Sequence, residues 1–194
     1  MLNRENLSLI VAGCAIAVSA ASFYATYLQA RAADQQVKAM TYPLIEFSHG
    51  NYDGEARERR VYMNLKNAGV GPAIVKRVSF AYADHSFDAL NNWIEACCDE
   101  ANDVYMDRVR AANFEATDWT MTTAEYQDII LPVGGEVTFL SLRYDERNKP
   151  LWDSLNRERW KLTPEICYCS LLDDCYATDG AGQVTNLPSC DVTP

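Results

Sequence analysis

Residues 60–82 read Arg60-Val-Tyr-Met-Asn-Leu-Lys-Asn67-Ala-Gly-Val-Gly-Pro72-Ala73-Ile-Val-Lys-Arg-Val-Ser-Phe-Ala-Tyr82, and their pattern decides the fold. Arg60 to Lys66 alternates polar and apolar side chains with period two, as a strand with one buried side does. Asn67 to Pro72 is a turn dense in Gly and Pro, and Ala73 to Tyr82 is a second, longer strand. Gly69 and Gly71 are expected to permit positive φ in a tight connection, with Pro72 fixing φ where the next strand begins. A Gly-x-Gly cradles phosphate when a helix follows, but an apolar strand follows here, so nucleotide binding is not expected.

The same strand-and-turn rhythm continues on both sides. Tyr42 to Phe47 is the first candidate strand, followed by a polar loop, HGNYDGEARE. Downstream, Asp128 to Pro132 and Glu136 to Leu142 flank a Val-Gly-Gly turn, and Glu165 to Leu171 with Cys175 to Thr178 form a hairpin. A helical period from Ser86 to Cys97 sets Phe87, Leu90, Ile94 and Cys97 on one face, and a short helix covers Leu151 to Glu158. Residues 99–120 show no clear period. About six short strands with turn-rich joints predict an antiparallel β-sandwich with helices inserted.

Residues Leu7 to Leu28 form an uncharged run of 22 residues, LSLIVAGCAIAVSAASFYATYL. As a helix it spans roughly 30 Å, the hydrocarbon thickness of a bilayer. Tyr24 and Tyr27 lie near its distal end, where aromatic rings favour the interface. Two competing readings are a cleaved signal ending at Val18-Ser19-Ala20 and a lipidation box, Val11-Ala12-Gly13-Cys14. Apolar sequence continues for two turns beyond Cys14, which argues against lipidation, and a retained anchor is the reading adopted. Gly13, Ala17, Ala21 and Ala25 recur every four residues as a small-residue stripe, the pattern that lets a second helix approach closely in lipid.

The division of the chain is therefore a tail (1–6), a transmembrane helix (7–28), a helical juxtamembrane linker (29–40), a β domain (41–180) with a helical insert near 86–112, and an extended tail (181–194). The whole chain has 194 residues, 48% of them hydrophobic and 23% charged, with 17 basic against 27 acidic side chains and a net charge of −10. Such an acidic surface repels phosphates, so nucleic acid is not an expected partner. Counting flanking charges does not orient the helix, because Arg4 precedes it while Arg31 and Lys38 follow. The cysteines do: six of the seven lie after the helix, an even number suited to an oxidising compartment.

These six are Cys97, Cys98, Cys167, Cys169, Cys175 and Cys190, for which fifteen pairings exist. A bond between the adjacent Cys97 and Cys98 would strain the backbone, so each is expected to pair elsewhere. Cys167 and Cys169, two apart on one strand, face the same side. The expected arrangement ties the inserted helix to the last hairpin and uses Cys190 to pin the tail. That cross-link would close a loop of roughly 70 residues and contribute on the order of 4 kcal/mol. The competing reading is a four-thiolate metal site from Cys97, Cys98, Cys167 and Cys169, although neither C-C nor C-x-C matches the usual C-x2-C spacing. Cys14 reads as a small packing residue in lipid.

The catalytic residues needed for a reaction are not recognisable. The two histidines, His49 and His85, sit in no motif, and there is no Gly-x-Ser-x-Gly elbow. Asp173-Asp174 and Asp99-Glu100 lack the ligand spacing of a calcium loop and read as solvated turns. Trp93, Trp119, Trp152 and Trp160 are either core residues or contact anchors on a partner-facing surface.

Tyr62 to Val75, with its Asn-x-Gly-x-Gly-Pro-Ala signature, resembles a landmark of uncharacterised bacterial single-pass membrane proteins that carry one periplasmic immunoglobulin-like domain behind an N-terminal helix. Leu131-Pro-Val-Gly-Gly-Glu-Val137 and Ile166-Cys-Tyr-Cys-Ser170 are similar to later landmarks of that group. The resemblance covers about half the domain in scattered blocks. It implies a mainly β fold, an immunoglobulin-like antiparallel sandwich, in the bacterial inner membrane with the C-terminal domain in the periplasm; the helical insertion expected here, with its cysteine pair, departs from the simple pattern of that group. It implies no activity.

The leading expectation is a non-enzymatic accessory subunit, structural or for assembly. Its partners would be the lipid bilayer and other transmembrane subunits of a larger membrane complex, with no cofactor, no metal and no small-molecule ligand. The alternative is a membrane-tethered periplasmic binding module for a protein or peptide. A third reading, a redox protein or enzyme using the cysteines, requires at least two reduced or metal-bound thiols.

Overall fold

The computed structural model describes residues 4–115 and 117–191; the ends of the two sequence-predicted tails, 1–3 and 192–194, lie outside that range. The chain forms two units that divide after Met40. The first is one helix, α1 (Arg4–Met40), which runs through both the apolar segment and the linker. None of the side chains from Ser8 to Met40 is buried, and the helix is long and apolar enough to cross a membrane. Ser19 and Thr26 each donate their hydroxyl to the carbonyl four residues back, Ala15 and Ser22, and so satisfy these polar groups within the helix.

The second unit holds β1 (Ile45–Asp53), β2 (Glu58–Asn67), β3 (Ala73–Tyr82), β4 (His85–Phe87), α2 (Leu90–Ala111), β5 (Thr122–Thr123), β6 (Ile129–Leu131), β7 (Glu136–Arg143), α3 (Lys149–Glu158), β8 (Thr163–Cys169), β9 (Cys175–Thr178) and β10 (Val184–Leu187). All pairings are antiparallel. One sheet has the order β1-β2-β7-β5, and the other β10-β9-β8-β3-β4 with β6 also on β3. Alternate side chains of both sheets enter one core: Val61, Met63 and Leu65 from β2, and Val75, Val78 and Phe80 from β3. Phe139 on β7 links them, with ring centroids 6.2 Å from Phe47, 5.8 Å from Phe80 and 4.8 Å from Tyr126. Among the described residues helix outweighs strand, 38% against 33%, because α1 alone contributes 37 residues.

Several sequence expectations change in the structure. HGNYDGEARE is not all loop: β1 continues through Asp53, opposite Glu58, and only the tip turns, with Asp53 Oδ1 accepting the Glu55 and Ala56 amides at 2.9 Å. β6 and β7 are strands but not partners. The first pairs with β3 and the second with β2, so Pro132–Gly135 passes from one sheet to the other. Residues 99–111 are helical, continuing α2. The C-terminal tail is not wholly extended strap, because Val184–Leu187 pairs with β9.

Asn67 closes the motif at residues 67–72. Its side chain is fully buried. Oδ1 accepts the amides of Gly69 (3.0 Å) and Leu44 (3.3 Å), and Nδ2 donates to the carbonyls of Gly71 (2.8 Å) and Leu131 (3.0 Å). One side chain thus ties the turn to the segment entering β1 and to the end of β6. The glycines are needed for proximity, not for positive φ as the sequence had suggested. Neither Gly69 nor Gly71 is left-handed, but a Cβ on Gly71 would lie 2.1 Å from the Thr41 carbonyl oxygen, and one on Gly69 2.4 Å from the Leu44 nitrogen. Residues 41–44 run directly across this turn, held by Ala68 N–H to Leu44 O (2.8 Å) and Val70 N–H to Tyr42 O (2.9 Å).

The helices α2 and α3 pack on each other, and α2 also touches β3 and β4. Leu90, Trp93, Ile94 and Tyr105 of α2 and Leu151, Trp152 and Leu155 of α3 are buried. Glu158 fastens the end of α3 to β3 by accepting hydrogen bonds from Tyr82 Oη (2.8 Å), Arg157 Nε (2.8 Å) and Lys161 Nζ (2.7 Å). Burial alone would raise its pKa, but those three donors outweigh it and hold the carboxyl at about 2.

Candidate functional site

The four small residues of α1 stand on an uninterrupted helix. Each step of four residues advances about 40° beyond a full turn, so Gly13, Ala17, Ala21 and Ala25 wind as a slow stripe. A Cβ on Gly13 would meet nothing within 4 Å. Cys14, beside it, is an exposed free thiol.

The cysteines depart from expectation. Cys97 and Cys98 bond to each other, Cys167 to Cys190, and Cys169 to Cys175. No cross-link joins α2 to the last hairpin, and the set Cys97, Cys98, Cys167 and Cys169 is not brought together. The reason is packing: Cys98 belongs to the main core with α2, whereas Cys167, Cys169, Cys175 and Cys190 form a separate small cluster under Leu187. Cys167 and Cys169 do share a side of β8, and Cys190 does pin the tail. The bond from Cys190 to Cys167 spans a sequence separation of 23 and that of Cys169 to Cys175 one of 6; by chain entropy these contribute about 3 and about 2 kcal/mol. The sulfurs of Cys169, Cys175 and Cys190 lie within 4.8 Å of one another, all committed to disulfides.

The outer side of the first sheet carries a polar cleft of about 710 Å³, lined by Tyr52, Arg60, Tyr62, Asn64, Glu136 and Ser141 among others. The period-two alternation of β2 produces it, since Arg60, Tyr62 and Asn64 point away from the core that holds Val61, Met63 and Leu65. Arg60 donates to Glu58 and, at 2.8 Å, to Ser141 Oγ. Glu58 is shared with Arg143 at 2.8 Å. Asn64 donates its amide to Glu136, while its buried Oδ1 has no hydrogen-bond partner. The cleft thus offers hydrogen-bond donors and acceptors beside two tyrosine rings.

A second recess, about 440 Å³, lies beside Phe47, His49, Trp160, Pro164 and Gly180. Arg159 is buried and donates to His49 Nδ1, so the imidazole proton sits on Nε2. Burial, and then the Arg159 charge, push the His49 pKa down, which keeps the ring neutral at pH 7. Its ring meets Trp160 edge-on at 4.9 Å. Trp160 is the exception among the tryptophans: it is 71% exposed, while Trp93, Trp119 and Trp152 are core. His85 is exposed at the start of β4.

Sequence reasoning missed the cleft and the hub role of Asn67. The alternation of β2 was the available signal for the first; nothing local signals the second, whose partners lie in three separate segments. No protein family, curated protein or solved structure matches this chain.

Proposed function

We propose that this chain is a non-enzymatic, single-pass accessory subunit of a larger bacterial inner-membrane complex, with a disulfide-stapled domain in the periplasm. The observation that carries this reading is α1: its apolar surface from Ser8 onward is wholly uncovered, which suits lipid, and its small-residue stripe lets a partner helix approach closely. The domain is read as immunoglobulin-like. In its support, β1, β2, β5 and β7 take the places of strands A, B, D and E in the constant-type order, and β3, β8 and β9 those of C, F and G. Three disulfides support an oxidising compartment.

Location is tested by expressing the chain with a C-terminal epitope in a two-membrane bacterial host. The chain is expected to resist alkaline extraction of membranes, and protease is expected to remove the epitope once the outer membrane is opened. An epitope protected until the inner membrane is lysed would overturn the periplasmic assignment. A second reading, a tethered module that binds a protein or peptide, is favoured by the polar cleft with its unpartnered Asn64 Oδ1. It differs in one consequence: function should survive replacement of residues 7–28 by an unrelated membrane helix.

A further inference from the structure

The bond between Cys97 and Cys98 lies in the middle of α2, not at its end. In an α-helix neighbouring side chains diverge by about 100°, so two adjacent sulfurs cannot bond while both residues are helical. The structure meets this requirement at Cys98, whose φ of −143° and ψ of 22° interrupt the helix. Nothing else in Leu90–Ala111 accounts for the break. The segment contains no Pro, Gly or Ser, the residues that ordinarily kink helices. Bond and kink are one feature.

The pair is also placed differently from the other disulfides. Cys167, Cys169, Cys175 and Cys190 are all at most 8% exposed. Cys98 is buried too, but Cys97 is partly open and borders a cleft of about 310 Å³ between Ala96–Ala101 and Ser154 and Arg157 of α3. This disulfide therefore includes a residue that is partly exposed and lines an open cleft while the fold is intact, as neither of the other two does.

From these observations we propose that Cys97–Cys98 is a redox-active disulfide, opened by an external dithiol in the folded protein, and that its reduction makes α2 continuous. A thiolate of the dithiol attacks Cys97 Sγ, the Sγ–Sγ bond breaks, and Cys98 leaves as a thiolate that takes up a proton. The second thiol of the reductant then attacks the mixed disulfide and releases Cys97 as a thiol. Two electrons and two protons pass to the pair, and the dithiol becomes a cyclic disulfide. With the bond gone Cys98 is free to adopt helical φ and ψ, and regular hydrogen bonding to the carbonyl four residues back can run straight through the kink. This device is independent of the accessory-subunit reading, since it rests on α2 and α3 alone.

The test uses the full chain in detergent, with Cys14 first capped by iodoacetamide. Dithiothreitol is titrated under folding conditions, new thiols are trapped with N-ethylmaleimide, and labelled peptides are mapped. Cys97 and Cys98 are expected to label together at a reductant concentration about tenfold or more below that which opens the other two bonds. Hydrogen exchange at the amides of 99–102 is expected to slow on reduction, and equally in the Cys97→Ser, Cys98→Ser double variant. Opening of Cys167–Cys190 or Cys169–Cys175 at the same or lower concentration would overturn the proposal. So would unchanged exchange at those amides after reduction.

Discussion

Asn67→Leu is expected to cost about 3–5 kcal/mol of domain stability, read as a fall in the urea midpoint of tryptophan fluorescence with the full chain in detergent. Leucine has the same number of side-chain heavy atoms but is bulkier, so no cavity is left, and the loss comes from the hydrogen bonds with some overpacking added. Leucine cannot accept from the Leu44 and Gly69 amides or donate to the Gly71 and Leu131 carbonyls that the asparagine serves. Each backbone group left unpaired in the interior costs about 1–3 kcal/mol, partly relieved where water can enter. All four tryptophans lie after residue 90, so the fluorescence reports this unit. A loss below about 1 kcal/mol would mean that the turn, the entry to β1 and β6 hold together without the Asn67 side chain.

Gly71→Ala should be comparably severe, about 3 kcal/mol or more, although alanine is normally a mild replacement for glycine. The backbone at Gly71 is not left-handed, so the conformation itself does not forbid a side chain. The obstacle is the Thr41 backbone, whose carbonyl oxygen, carbonyl carbon and Cα would lie 2.1, 2.3 and 2.7 Å from the new methyl group. Backbone cannot swing aside as a flexible side chain does, so residues 41–44 must lift away and give up their bonds to Ala68 and Val70. Gly134→Ala is the control. Gly134 has φ +71° with nothing within 4 Å of its would-be Cβ, so only backbone strain of about 1–2 kcal/mol applies there. Equal losses for the two variants, measured by the same urea titration, would contradict the close-approach explanation.

The contrast between these two glycines indicates what the sequence makes legible. Period-two alternation marks β2 because it buries one side in the core, and burial leaves its imprint residue by residue. The β8–β9 hairpin is instead buried on both sides, Ile166 and Tyr168 in the main core and Cys167 and Cys169 in the cysteine cluster, and is marked by its apolar run and turn. The outer half of β1 lacks that imprint: His49 to Asp53 pair with β2 without a matching buried side, so they read as loop. Whether Gly71 serves conformation or proximity depends on where Thr41 runs, which no local pattern records. The Val-Gly-Gly turn is similar, since the same residues can close a hairpin or carry the chain between sheets, and the partners of β6 and β7 decide which.

The cysteines had the same limitation in a sharper form. Adjacency discouraged a Cys97–Cys98 bond because such a bond strains the backbone, and the helix breaks at Cys98 to admit it. The small-residue stripe of α1 follows from four positions and a helical period alone; on the proposed reading a second membrane helix covers it.

Extraction from native membranes in mild detergent through a C-terminal tag, with mass spectrometry of whatever co-purifies, tests the accessory-subunit reading most directly. One complex recovered in fixed stoichiometry is the expected result, and replacing Gly13 and Ala17 by leucine should release this chain from it. Recovery of the chain alone, with no membrane partner at any detergent concentration that preserves known complexes, would contradict it and direct the search to ligands of the polar cleft.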